Sequence, residues 1–324
     1  MKAAVWTDYG PPEVLRLQEV DEPLPKANEV RIRVHATTVE TGDCELRRYE
    51  MHNRLLLLMR LYFGLIRPTR IKILGQQLSG EIESVGKEVT LFKEGDPVFA
   101  PTASFGAYAQ YLCLPSTHTM AIKPANMTFE EAAAVPVGGL NALHFLRAAD
   151  IQRGDKVLIY GTSGSIGSFA VQLAKLFGAE VTAVCSSSKK ELVQSLGADR
   201  VIDYTKEDFT KKGESYDIIF DTIGKSPYSG SVRSLKKKGR YLLANPTVSQ
   251  MVRGIWTSMR SSKRVMSEFA TYKTEDLLFL KELIEKGKLQ TVIDRCYRLE
   301  EIVQAHHYVE KGHKKGNVII TVEE

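Results

Sequence analysis

Paired cysteines are what this sequence most plainly lacks. Cys44, Cys113, Cys185 and Cys296 stand far apart with no CxxC or CxxxC spacing. That excludes a closely spaced thiolate set for zinc or a small redox loop, and points to reduced, cytosolic thiols. Long apolar runs are missing as well. The greasiest stretch, Leu55 to Ile66, is broken by Arg60 and falls short of the roughly 18 residues that a membrane span needs, so it reads as a helix over a core or a pocket mouth. No basic block suggests nucleic acid: 44 Lys and Arg against 39 Asp and Glu leave a mild +5, suited at most to an anionic cofactor. No apolar signal core forms before Asp8, so secretion is not expected and the expected compartment is cytoplasmic. Internal repeats and low-complexity linkers are also lacking.

What is present has two textures. With 324 residues, 43% of them hydrophobic, the chain suits two domains of ordinary size. The first third carries short β-like runs, Val30–Val34, Leu78–Gly86 and Pro97–Ala100, which suggest a small irregular β-barrel. From about Lys156, apolar runs alternate with helix-length stretches, the pattern of a parallel sheet wrapped by helices. The strands fall at Val157–Tyr160, Val181–Val184, Val201–Asp203, Ile218–Asp221 and Tyr241–Ala244, with crossover helices at Ser165–Phe177 and Lys189–Leu196. Two further helices, Glu275–Glu285 and Glu300–Lys311, and a last strand, Asn317–Val322, follow. The fold class expected is α/β, a doubly wound Rossmann sheet.

Gly161-Thr162-Ser163-Gly164-Ser165-Ile166-Gly167 follows the first of those strands and opens the first helix, which is where a dinucleotide diphosphate sits. Glycines permit the turn and the close backbone approach, and the free N–H groups and positive end of the helix favour the diphosphate. Glycines that merely end a strand are the plain alternative; the strand before, the helix after and the second strand beyond argue against it. The tip of the second strand then selects the cofactor. An NAD site uses an acid there for the ribose 2′-hydroxyl, whereas this chain reads Cys185-Ser186-Ser187-Ser188-Lys189-Lys190. Hydroxyls and ammonium groups suit a 2′-phosphate, so NADPH is the expected cofactor, with Ser186 and Lys189 as its contacts; serine caps on a solvated helical turn are the competing reading. Tyr204 is a candidate to lie along the adenosine or to pack as an ordinary strand-end aromatic. Asn245, just past the fifth strand, completes the candidate cofactor contacts on this side.

With the glycine loop in view, other short motifs acquire meaning: Met1-Lys2-Ala3-Ala4, Gly10-Pro11-Pro12-Glu13-Val14-Leu15, Gly80 to Gly86, Phe92 to Val98, Gly106 to Tyr111, Ala132 to Ala142 and Leu196-Gly197-Ala198-Asp199. In order and spacing they resemble the medium-chain dehydrogenase/reductase superfamily over nearly the full length, most of all its zinc-independent quinone oxidoreductase-like branch. The resemblance implies a GroES-like, β-barrel-type substrate domain from residues 1–122 and 271–324, a Rossmann NADP-binding domain at 123–270, a nicotinamide in the interdomain cleft, and homodimers or homotetramers joined through Rossmann sheet edges. It also implies a cofactor contact near Lys315-Gly316-Asn317, where relatives often carry a basic residue, Gly and Lys.

The same resemblance locates where zinc-dependent relatives hold their catalytic metal. Aligned on Asp43, the first ligand position reads Glu40 rather than Cys, the second reads Gly75-Gln76-Gln77, and the third falls near Gly138; neutral amides and a glycine are poor zinc ligands. No metal is expected. Without a Lewis acid, hydrogen-bond donors must polarise the substrate oxygen, which suits hydride delivery to an enone or quinone. On the substrate side Glu40, Asp43 and Tyr49 are the catalytic candidates, Tyr49 as a proton donor, set against a tyrosine that caps a loop and an aspartate that braces one. The stretch Arg47 to Arg70 either roofs a hydrophobic substrate or forms a partner face. The function expected is an NADPH-dependent oxidoreductase acting on a quinone, enone or similar small carbonyl compound. An NADPH-binding scaffold or redox sensor with little turnover and an enoyl-thioester reductase are the alternatives.

Overall fold

A computed structural model describes residues 1–49, 62–102 and 105–322. In chain order the strands are β1 (Lys2–Trp6), β2 (Leu15–Glu19), β3 (Glu29–Thr38), β4 (Gln77–Val85), β5 (Pro97–Pro101), β6 (Tyr111–Pro115), β7 (Ala121–Ile122), β8 (Lys156–Tyr160), β9 (Glu180–Cys185), β10 (Arg200–Asp203), β11 (Tyr216–Asp221), β12 (Leu235–Leu243), β13 (Arg264–Met266), β14 (Ile293–Arg298) and β15 (Asn317–Thr321). The helices among the described residues are α1 (Thr41–Arg48), α2 (Phe129–Ala133), α3 (Pro136–Ala148), α4 (Ser165–Leu176), α5 (Lys190–Ser195), α6 (Tyr228–Arg233), α7 (Val248–Arg260), α8 (Thr274–Glu285) and α9 (Ile302–Glu310).

The chain divides into two compact units, Met1–Val137 with Lys273–Gly287 and Thr291–Glu324, and Gly138–Tyr272 with Lys288–Gln290. The second holds a six-stranded sheet in the order β10-β9-β8-β11-β12-β13, every neighbour parallel. That is the 3-2-1-4-5-6 order of the doubly wound dinucleotide fold. A parallel sheet is covered on both faces, so its central strands need apolar residues without alternation: Val157, Leu158 and Ile159 are all fully buried, as are Ile218, Ile219 and Phe220. Helix α4 starts with no side-chain cap, at Gly164, and that bare start makes the candidate site.

The first unit is built around a sheet ordered β14-β15-β3-β4-β5-β7, with β6 also paired to β3. Strand β3 alternates buried and half-buried positions, with Val30, Ile32 and Val34 in the core. That alternation is the mark of a sheet with one packed face. Its neighbours β4 and β6 are antiparallel on opposite edges, and β15 from the far end of the sequence pairs with Ala36–Thr38, beyond the stretch that β6 takes.

The division between the compact units falls at Val137/Gly138, beyond the 122/123 boundary expected from the resemblance. Helix α2 stays with the first unit because Phe129 stacks on His35 with ring centroids 4.2 Å apart, and Ala133 and Ala134 share a buried cluster with Ala36 of β3 and Ile319 of β15. The second boundary moves only from 270/271 to 272/273. Of the greasy stretch, residues 50–61 lie outside the described residues. Beyond them Phe63 is buried against Trp6 and Phe105, whereas Leu65 and Ile66 are exposed.

Candidate functional site

Three glycines shape the loop after β8, each for a different reason. Gly161 sits at φ +88°, and a Cβ there would press on Thr222 Oγ1 at 2.7 Å. A Cβ on Gly167 would lie 2.2 Å from the Gly161 carbonyl oxygen, so only glycine lets α4 approach the end of β8. Gly164 is the odd one: its φ is −86°, and a Cβ there would meet nothing nearer than the Gly161 oxygen at 3.8 Å. Open space at a helix start is what a diphosphate requires. Ser168 N–H donates to the Gly164 carbonyl as the first intrahelical bond, which leaves the N–H groups of Ser165, Ile166 and Gly167 without helical partners. The Ser165 hydroxyl is buried with no hydrogen-bond partner. Thr162 turns inward and donates to the Val184 carbonyl, and Ser163 is buried beside it. Gly138, at the third zinc-ligand position of the relatives, is a glycine for packing: a Cβ there would strike Ser165 Oγ at 2.4 Å.

The tip of β9 carries the serine turn, Ser187–Lys189 as one turn of 3-10 helix. Ser186 and Lys189 are half-buried and Lys190 is exposed. An acid does reach this turn, though from the next strand: Ser187 Oγ donates to Asp203 Oδ2, and Thr205 donates to Asp203 Oδ1 through its N–H and its hydroxyl. These hydrogen bonds, Ser187 first, hold the Asp203 carboxyl down at about 2. Tyr204 is exposed, 6.3 Å from the Tyr160 ring between centroids. Asn245 donates through Nδ2 to the Thr222 carbonyl, which ties the β12 end to the glycine loop's own support.

In the first unit, Glu40 and Asp43 are brought together around the start of α1. Asp43 is fully buried and accepts from the Glu40 N–H (3.0 Å), Tyr108 Oη (3.0 Å), Gln76 Nε2 (3.3 Å) and the Gly75 N–H (3.3 Å). Burial outweighs those donors and, with Glu40's charge nearby, raises its carboxyl to about 6. Glu40 accepts from Thr38 Oγ1 and Gln77 Nε2 at 3.3 and 3.1 Å, and Lys314 Nζ stands 3.4 Å from its Oε2 with both side chains about nine-tenths buried. The Gln77 amide is committed on both ends, since its Oε1 accepts the Val137 N–H at 2.7 Å. Tyr49 joins a different set. It caps α1 in the left-handed conformation at φ 48°, its ring 5.0 Å from Tyr9.

Behind Asp43 runs a second buried group. His306 Nδ1 accepts from Arg47 Nε at 3.3 Å and lies 3.4 Å from Cys44 Sγ. Burial and the neighbouring Arg47 charge hold His306 neutral, its value pushed down to about 3, while burial pushes the Cys44 thiol up to about 12. These shifts make opposite pH signatures. Folded Asp43 retains a proton that the unfolded chain has lost, so between pH 3.8 and about 6 its contribution falls as pH rises. The unfolded chain protonates His306 where the folded one does not, so between about 3 and 6.5 its contribution rises with pH. The two oppose each other from about pH 4 to 6. The Asp43→Asn variant is therefore expected to gain stability with rising pH across that window, by up to about 1.4 kcal/mol per unit, where His306→Gln loses it. Urea midpoints measured at several pH values check both signs; parallel profiles for the two variants would refute the assignment.

With both sites in view, the likeness to known proteins is informative. The pattern of an alcohol dehydrogenase GroES-like domain matches residues 26–124, and that of a zinc-binding dehydrogenase matches residues 196–320. The chain is 32% identical over 338 residues to a chloroplastic quinone oxidoreductase of Triphysaria versicolor, which covers 99% of this chain and 98% of the relative. This chain belongs to the medium-chain dehydrogenase/reductase superfamily, quinone oxidoreductase-like branch. The superfamily member from Coxiella burnetii, a quinone oxidoreductase of solved structure, superposes with a TM-score of 0.89 at 30% identity, covering 100% of this chain and 99% of that one. A 2-methylene-furan-3-one reductase of Solanum lycopersicum is 31% identical over 99% of this chain and 79% of its own length. Membership establishes a GroES-like domain with a Rossmann-type sheet, in a family of oxidoreductases that bind a nicotinamide cofactor.

Two of the expected cofactor contacts make the following contacts of their own, and neighbouring residues join the site as well. Lys315 is exposed, with its backbone N–H donated to Asp294 Oδ2. Asn317 is buried and donates to the Val292 carbonyl. The buried ammonium is that of Lys314, one residue earlier, and the only sequence signal for it is the Lys314-Lys315 pair ahead of Gly316. Thr38 and Tyr108 also escaped notice as site residues: Thr38 reads as the ordinary end of a strand, and Tyr108 lies 65 positions after the Asp43 that its hydroxyl reaches. Among the described residues no helix is long and apolar enough to cross a membrane.

Proposed function

We propose that the chain is a cytoplasmic, NADPH-dependent, zinc-independent oxidoreductase, a homodimer or homotetramer, that passes a hydride to a quinone, enone or similar small carbonyl compound. The observation that carries the reading is the start of α4, where the open Gly164 position and three N–H groups without helical partners come together and fit a diphosphate. Ser186 and Lys189, with Lys190 beside them, are the groups to hold a 2′-phosphate. When bound, NADPH supplies the hydride. On the substrate side, Gln76 and Gln77 spend their amides on Asp43, Glu40 and Thr38 where zinc-dependent relatives place metal ligands. Polarising the substrate oxygen then falls to donors such as the Lys314 ammonium beside Glu40, with Tyr49 as the proton donor and Asp43 bracing the loop.

The assay is NADPH consumption at 340 nm with quinones, enals and enones, for the wild type and for Tyr49→Phe, whose kcat is expected to fall about 100-fold if it donates the proton. Lys189→Gln combined with Ser186→Asp is expected to raise the NADPH KM by about 10- to 100-fold, the value of one or two charge-assisted hydrogen bonds, and to leave the NADH KM unchanged or lower. Asp203, already at this turn, makes the swap a sharp test: a wild type that prefers NADH refutes the cofactor assignment. Tight NADPH binding with no consumption on any acceptor would favour a scaffold or sensor instead.

A further inference from the structure

The serine turn at the tip of β9 has no acid of its own, yet it has one beside it. Strands β9 and β10 run parallel with Asp203 opposite Cys185, the residue that leads into the turn, and paired strands lie about 4.8 Å apart. Ser186, Ser187, Lys190, Asp203 and Lys206 share the lining of one cavity of about 230 Å³. A carboxylate in that company is out of place if the turn takes a 2′-phosphate. It repels the phosphate, and it is the group that a ribose 2′-hydroxyl looks for.

The way this carboxylate is held resolves the conflict. Its Oδ1 accepts from the Thr205 N–H at 3.0 Å and from the Thr205 hydroxyl at 2.7 Å. Its Oδ2 accepts from the Ser187 hydroxyl, and the Lys206 ammonium stands 3.7 Å from the same oxygen. An ionised carboxylate offers about four lone-pair positions, and three donors and a cation occupy both of its oxygens. With the carboxyl down at about 2, Asp203 stays ionised at any working pH, so these contacts, and not a proton, are what quieten it. Thr205 and Lys206 are its own neighbours in sequence, whereas Ser187 reaches it from the β9 turn. A serine hydroxyl has a single proton to donate. Ser187 spends it on Asp203 and so, unlike Ser186, has none left for a phosphate.

We propose that Asp203 sets the choice between a 2′-phosphate and a 2′-hydroxyl, and that Ser187 holds it in the arrangement that accepts the phosphate. The inference rests on the reading of this turn as the 2′-phosphate site. With its Oδ2 tied to Ser187, the carboxylate leaves the turn to the ammonium groups of Lys189 and Lys190 and to the Ser186 hydroxyl. Released from Ser187, it becomes an acceptor with spare capacity beside the same turn, a gain for a hydroxyl donor and a loss for a phosphate. Selectivity is a difference between two affinities, and a repulsive group moves it as surely as an attractive one. Ser187 is thus a positioning residue, and Asp203 determines specificity from β10, one strand beyond the place where an NAD site keeps its acid.

Adenosine 2′,5′-bisphosphate and AMP carry the two alternatives without a nicotinamide, so calorimetric titration of each into the full-length protein reads the choice apart from turnover. In the wild type the Kd ratio is expected to favour the bisphosphate. Ser187→Ala is expected to cut that ratio about 5-fold, the size of one solvent-exposed charge contact, with the melting temperature at the wild-type value. Asp203→Asn removes the charge and keeps an oxygen for Ser187 to bond, so its ratio is expected at or above that of the wild type. The double variant is decisive: if Ser187 acts through the Asp203 charge, Ser187→Ala changes nothing in the Asp203→Asn background. An equal loss in both backgrounds, a ratio that Ser187→Ala leaves unmoved, or an Asp203→Asn ratio below the wild type would each overturn the proposal and leave the 2′-phosphate site standing. A wild type that binds the two nucleotides equally would overturn both.

Discussion

Replacing Gly164 with Asp is expected to leave the protein folded, slightly more stable, and unable to hold its dinucleotide. The backbone there is ordinary, at φ −86° and ψ −178°, and the space beyond it is open to 3.8 Å. An aspartate at this helix start accepts from the free N–H groups of α4 and stabilises the helix by a few tenths of a kcal/mol relative to glycine. It also consumes the donors and sets a negative charge where the diphosphate must lie. At about 4 Å and an effective dielectric near 20 the repulsion is about 4 kcal/mol, so NADPH binding is expected to weaken at least about 100-fold. Calorimetric titration and the melting temperature without cofactor separate the two effects. Gly167→Ala is the contrast: its Cβ would lie 2.2 Å from the Gly161 oxygen, so fold and binding should suffer together. Unchanged NADPH affinity in Gly164→Asp would rule out the loop as the diphosphate site.

The largest loss of stability is expected from Arg47→Met. This arginine is fully buried and holds three segments at once: its guanidinium donates to the Gly10 carbonyl, to His306 Nδ1 and to Glu310 Oε1. Desolvation makes the buried charge costly, which pulls the Arg47 value below its ordinary one, and its partners offset that cost. Methionine fills much of the same space, yet it leaves the Gly10 carbonyl and His306 without their donor and Glu310 with only Arg48, 3.7 Å away. Removing one partner of a buried pair typically costs about 3–5 kcal/mol. Because Glu310 is partly exposed, the lower end applies, and for a unit of this size that lowers the melting temperature by roughly 6–12 °C. A drop of less than about 2 °C would show that the cluster is not holding the segments together.

How much of this was legible beforehand follows from where each signal resides. Buried parallel strands write themselves as unbroken apolar runs, and the glycine loop is local, so β8 to β12 and the start of α4 were readable from neighbours in sequence. Helix α3 was not. Its Gly138 and Gly139 look like helix breakers, and Gly138 is there because Ser165 comes so close, a fact of packing. Helix α7 escaped because its large apolar side chains, Ile255, Trp256 and Met259, point away from the core. Lys314 escaped because a buried lysine is unreadable without its partner, and Glu40 lies 274 positions away. Asp203 was visible as the end of a strand, but only the pairing of β10 beside β9 brings its carboxylate to Ser187.

The pairing of β15 with β3 has a consequence for the order in which the protein is made. A ribosome releases the whole six-stranded sheet of the second unit while β15 is still untranslated, so that unit can close on its own early. Strand β3, synthesised near the beginning, meanwhile keeps its Ala36–Thr38 end unpaired on the side that β15 later takes, and the side chain of Arg47 waits for His306 and Glu310, which arrive with α9. An open edge is an invitation to wrong pairing. The first unit is thus the part of the nascent chain that most needs shielding, and the last short strand is the one that ends the need.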